Sequence, residues 1–88
     1  MSVTAAAVTA DLLGLIREFK GSDFAEPQGD PSGLNFFEDL GLDSLEMINL
    51  LFQVEEKYGV RLSAEDMRDR DLMVLGKMAA FIAASKQA

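Results

Sequence analysis

The stretch GLDSLEMINLLF, residues 41–52, sets Ser44 between an aspartate and a long apolar run. Three roles compete for that hydroxyl. Serine at a helix N-terminus is an ordinary cap, but Asp43 can fill the same place and one cap suffices. Nucleophilic catalysis needs a base beside the hydroxyl, and the chain has no His and no Ser-x-x-Lys pattern. The third role is modification of the hydroxyl by another enzyme. A helix N-terminus offers unpaired backbone N–H groups and a partial positive charge, both suited to a phosphate ester.

Composition narrows the chemistry further. With no Cys and no His in 88 residues, disulfide frameworks, Cys/His zinc sites and thiol nucleophiles are excluded. Any reactive thiol has to come from outside the chain. No D-x-[DN]-x-[DN]-G run closed by a glutamate exists, which argues against a calcium loop. The formal net charge is −7, and residues 38–56 hold Glu38, Asp39, Asp43, Glu46, Glu55 and Glu56 without a Lys or Arg. That patch accounts for −6 of the total and surrounds Ser44. It repels nucleic acid and anionic membranes and attracts basic protein surfaces.

The elements that must position Ser44 are helical, because no segment alternates like a strand. The first helix is expected from about residue 2 to Lys20, with Val8, Leu12, Leu15, Ile16 and Phe19 along one face. Residues 21–35 are rich in Gly, Pro, Asp and Ser and read as a long loop, with Asp30-Pro31 able to start a short helical turn. The second helix begins at Asp43 or Ser44, where Asp43 and Glu46 have capping-box spacing, and ends at Gly59. A short third helix opens at Ser63 with Asp66 as its capping partner. A last helix is expected from about residue 71 to residue 84, with Leu75, Met78, Ala79 and Ile82 inward. The expected fold is all-α: one small four-helix bundle over residues 1–88, with a short third helix and a long first loop.

The second helix carries two apolar lines. Met47, Leu50, Leu51, Val54 and Tyr58 fall in one stripe, which is enough to bury the helix. Leu45, Ile48 and Phe52 form another, offset by about 130° at roughly 100° per residue. A helix packed on one face has no need of that second line, which points to a partner or ligand. The alanine-rich N-terminus lacks a basic start and is interrupted by Asp11, so a signal peptide is not expected. No segment approaches the length of a membrane span, and a cytoplasmic monomer without membrane insertion is expected.

The stretch DLGLDSLEMINLLFQVEEKYGV, residues 39–60, closely resembles the attachment region of acyl carrier proteins. Asp43-Ser44-Leu45 matches the family's attachment triplet, and the apolar spacing, acidic surroundings and closing glycine agree with it. The order of elements extends the resemblance over the whole chain. The resemblance implies a non-enzymatic carrier whose Ser44 receives 4′-phosphopantetheine from coenzyme A, through a separate Mg²⁺-dependent phosphopantetheinyl transferase. The thiol of that arm then holds acyl groups as thioesters. By position, Asp43, Leu45, Glu46, Ile48, Phe52 and Glu55 would dock onto basic patches of acyl-loading, synthase or transferase enzymes.

The form GLDSL resembles carriers of fatty-acid and polyketide synthesis more than peptidyl carriers. A stand-alone aminoacyl, peptidyl or D-alanyl carrier is the alternative within the family, and an unmodified acidic adaptor the alternative outside it. Asn49 stands where many relatives are acidic, which leaves partner choice open. The segment EDMRDRD, residues 65–71, is slightly long for the family, so a different exit from the third helix is expected.

Overall fold

A computed structural model describes residues 4–21, 24, 27 and 29–87. The first helix, α1 (Ala5–Lys20), starts where the Thr4 side chain accepts the N–H of Ala7 at 3.1 Å. The expected start at residue 2 lies outside the described residues. α1 buries Val8, Leu12 and Ile16 completely, at four-residue spacing, while Leu15 and Phe19 sit half-buried beside them. Among its described residues, the loop that follows contains a 3-10 turn, Pro31–Gly33. Its cap is Asp30, whose carboxylate accepts the N–H of Ser32 at 3.0 Å, as the Asp30-Pro31 pair predicts.

α2 (Ser44–Tyr58), α3 (Ala64–Asp69) and α4 (Leu75–Gln87) complete the bundle. Both caps predicted for α2 are present: Asp43 and Glu46 form a full capping box, and Gly59 closes the helix at φ 70°, a region that a side chain would strain. α3 opens as expected, with the Ser63 hydroxyl accepting the N–H of Asp66 at 3.1 Å.

The last helix departs from expectation. It begins at Leu75, not near residue 71, because Asp71 adopts a left-handed φ of 55° and the chain turns through residues 70–73. The N–H of Leu75 is taken by the carbonyl of Leu34 at 2.8 Å, and that of Phe36 donates to the carbonyl of Met73 at 2.9 Å. Asn35 and Val74 thereby form an isolated antiparallel bridge; among the described residues there is no strand. The contact is close enough that a Cβ on Gly76 would stand 2.6 Å from the Ser32 carbonyl oxygen. Leu75, Met78, Ala79 and Ile82 face inward as predicted, all with no exposure.

α1 packs most extensively against α4 and less against α2. The core they share with Phe36, Leu72 and the inner line of α2 is wholly apolar among the described residues. At its edge, the far end of α2 is tied to α1: the Tyr58 hydroxyl donates to Asp11, and Lys57 Nζ lies 3.3 Å from the same carboxylate. The Tyr58 bond, with help from Lys57, holds the Asp11 carboxyl below its ordinary range. Burial, and the carboxylate beside it, push the Tyr58 hydroxyl well above its own. No helix among the described residues is long and apolar enough to cross a membrane.

Candidate functional site

Ser44 is the first residue of α2 and is exposed. Its hydroxyl is not needed to start the helix, because Asp43 does that work. Asp43 Oδ1 accepts the N–H of Glu46 at 2.7 Å, and Glu46 Oε1 accepts the N–H of Asp43 at 3.1 Å. Two of the donors orphaned at the start of α2 are thus satisfied by neighbours of the serine. The hydroxyl stands at the positive end of a 15-residue helix, open to a second molecule. A phosphate ester fits there: it needs an accessible oxygen, and the helix terminus offsets part of its charge.

The turn ahead of Ser44 is built from both sides. Gly41 takes φ 70°, and the buried Leu42 donates its N–H to the Phe36 carbonyl at 3.0 Å. From the end of α1, Lys20 Nζ reaches the Gly41 carbonyl at 2.6 Å and Glu46 Oε1 at 2.9 Å. Upstream, Asn35 Oδ1 accepts the N–H groups of Phe37 and Glu38, and the Asp39 carboxylate accepts that of Asn35 at 2.7 Å.

The second apolar line of α2 is open to water. Leu45, Ile48 and Phe52 are 69%, 50% and 60% exposed, while Met47, Leu50, Val54 and Tyr58 are buried. Leu51, assigned to the inner stripe, is only half-buried, because it stands where the two lines meet a groove. That groove, of about 150 Å³, runs between α2 and the segment before α3 and is lined by Ile48, Leu51, Phe52, Glu55, Arg61 and Leu62. Leu51 and Leu62 also border an adjoining space of about 420 Å³ walled by Met47, Met67, Arg68 and Met73.

The six residues expected to dock therefore divide. Leu45, Ile48 and Phe52 form an exposed apolar line that starts beside Ser44. Asp43 is exposed but serves as the cap. Glu55 pairs with Arg61 at 3.3 Å on the rim of the groove. Glu46 is the least available, engaged by both the Asp43 N–H and Lys20. Three residues of the region escape a sequence reading. Phe37 is an exposed aromatic next to the buried Phe36, and a loop offers no periodicity to tell the two apart. Lys20 reads as a routine cation at a helix end, and Arg61 as a solvated charge, since their partners are reached only through the fold.

The profile of the family described as "Phosphopantetheine attachment site" matches residues 10–82. The chain is 34% identical over 82 residues to the meromycolate extension acyl carrier protein of Mycolicibacterium smegmatis, covering 93% of this chain and 78% of that protein. It is also 34% identical over 82 residues to an acyl carrier protein of Rhodococcus erythropolis, with 93% and 85% covered. An acyl carrier protein of Myxococcus xanthus is 32% identical over 62 residues, with 70% and 75% covered.

Proposed function

The chain belongs to the acyl carrier protein family, carriers rather than catalysts that hold a covalent 4′-phosphopantetheine, and from that premise we propose that Ser44 is the attachment point. The observation that carries the proposal is the division of labour at the start of α2. Asp43 makes the cap, which leaves an exposed serine hydroxyl at the helix N-terminus with no structural duty. Once attached, the arm supplies a terminal thiol that holds an acyl group as a thioester.

The residues of the chain do the rest. Asp43 and Glu46 fix the first turn and leave the exposed serine at its start. Leu45, Ile48 and Phe52 offer apolar contact to a phosphopantetheinyl transferase and then to synthase or acyl-transferring enzymes. Apart from Glu46, whose charge Lys20 meets, the acids of residues 38–56 draw the basic patches of those partners. The groove over Leu51 and Leu62 gives an acyl chain partial cover from water. The acyl group is of the fatty-acid or polyketide kind. The names of the relatives support this, two as acyl carrier proteins and one as a carrier for meromycolate extension.

The test is a mass measurement. Incubation with coenzyme A, Mg²⁺ and a broad-specificity transferase should raise the intact mass by one phosphopantetheine group. Ser44→Ala should abolish the gain and leave the helical content nearly intact, because Asp43 still caps α2. A gain that persists in the variant moves the site elsewhere. No gain in the wild type with several transferases favours an unmodified acidic adaptor.

A further inference from the structure

We infer that Lys20 is a positioning residue for the modification of Ser44, acting from α1 on the turn that presents the serine. The inference rests on Ser44 being the attachment point. Lys20 ends α1, yet its ammonium contacts lie across the fold and not among the last carbonyls of its own helix. Nζ is 2.6 Å from the Gly41 carbonyl oxygen and 2.9 Å from Glu46 Oε1. That same carboxylate oxygen accepts the N–H of Asp43 at 3.1 Å. One ammonium therefore fastens both ends of the short segment leading into the serine: Gly41 on the near side, and the first turn of α2 on the far side.

The contact is sheltered, with the two side chains only 24% and 21% exposed, so solvent screens it less than it screens a surface pair. Without Lys20, the turn would rest on the Leu42 bond to Phe36 and on the capping box alone. Glu46 would then be held by the Asp43 N–H alone. The same geometry assigns Glu46 a different duty from its acidic neighbours. Its charge is compensated within the chain, so it supports the serine and adds little to the attraction for basic partners.

The charge and the positioning roles of Lys20 predict opposite effects, which makes them separable. Removing a cation makes this face more acidic and should bring a basic transferase closer, lowering KM. Loosening the turn should lower kcat for transfer onto the chain. Steady-state modification of the apo protein with coenzyme A and Mg²⁺ is compared for wild type, K20M, K20R and E46Q, alongside amide hydrogen exchange.

For K20M the expected result is a fall in kcat of about tenfold with KM unchanged or lower, since small misplacements of a reacting group are costly. Exchange at the Asp43 amide should quicken while the Leu50 and Val54 amides, deep in α2, keep their protection. K20R, which restores the charge and the donors, should recover most of the rate. A kcat for K20M within about twofold of wild type overturns the inference. So does a loss of rate matched by equal loss of protection at Leu50 and Val54, which marks general destabilisation. If K20M fails to fold, E46Q decides: it keeps an oxygen for the Asp43 N–H and weakens the hold of Lys20, so an unchanged kcat there is equally fatal. A wild type that takes no phosphopantetheine sinks the reading of Ser44 itself. A modified wild type beside a fully active K20M sinks only the role of Lys20.

Discussion

Truncating Leu50 and Ile48 to alanine, two residues apart on α2, separates the core of this helix from its contact surface. Leu50 is fully buried, so its loss removes apolar contact and leaves a cavity, at a cost of about 2–5 kcal/mol. At roughly 0.05–0.15 kcal/mol per residue, a chain this size has a total stability of about 4–13 kcal/mol. Leu50→Ala therefore spends a large part of it. Ile48 is already 50% exposed in the folded state. Half of the value of a fully buried side chain is about 1 kcal/mol. Alanine's better helix propensity returns a few tenths, roughly. With about 4–8 °C of melting temperature per kcal/mol, Leu50→Ala should lower the melt by roughly 8–40 °C and Ile48→Ala by about 5 °C. Melts followed by circular dichroism give both numbers. A transfer assay with a partner enzyme, run below both transitions, should rank the variants the other way, with Ile48→Ala the more impaired. If Ile48→Ala melts as early as Leu50→Ala, the outer line is ordinary core and the docking argument built on it fails.

The pair of Tyr58 and Asp11 should shape the dependence of stability on pH. Asp11 is held below its ordinary 3.8, so its contribution is complete above that value and is lost as acid protonates the folded state. Tyr58 is raised above its ordinary 10.0, so its contribution is present below that value and is lost as pH rises past it. Urea midpoints across the pH range should show Asp11→Asn flattening the acid limb and Tyr58→Phe flattening the alkaline limb; unchanged limbs would remove the pair from the account of stability. Glu55→Lys should slow modification about fivefold at low salt and much less at high salt, because exposed charges steer association and are screened. Equal rates at low salt would show that the rim acid does not steer the partner.

What could be read in the sequence was what residues a few positions apart decide among themselves. The bounds of α2 rest on Asp43 and Glu46, on a stripe of apolar residues and on Gly59, all local signals. Its two-sided character was legible for the same reason, since Leu45, Ile48 and Phe52 fall outside the arc that Leu50 and Val54 define. The start of α4 was not, because the backbone acceptor for Leu75 belongs to Leu34. Nor was the state of the acids. A count of six charges around Ser44 carries no sign that Lys20 answers Glu46 and Arg61 answers Glu55. Lys20 comes from α1 through packing, and Arg61 folds back onto α2 from just beyond its Gly59 cap.

The meeting of residues 34–36 with residues 73–75 couples the start of α4 to the seating of the first loop. α4 has no side chain at its start to nucleate it; the Leu34 carbonyl and the Val74 bridge stand in for a cap. Both are non-local, so the first turn of α4 cannot settle until the chain between them has closed, and closure costs entropy before any contact repays it. The seating of the loop brings Ser32 against Gly76 and Phe36 into the core. Phe36 is also the residue whose carbonyl anchors Leu42, two positions before Ser44. The setting of the serine thus depends on contacts between segments far apart in the chain, and a transferase that needs that setting should favour molecules in which those contacts have formed.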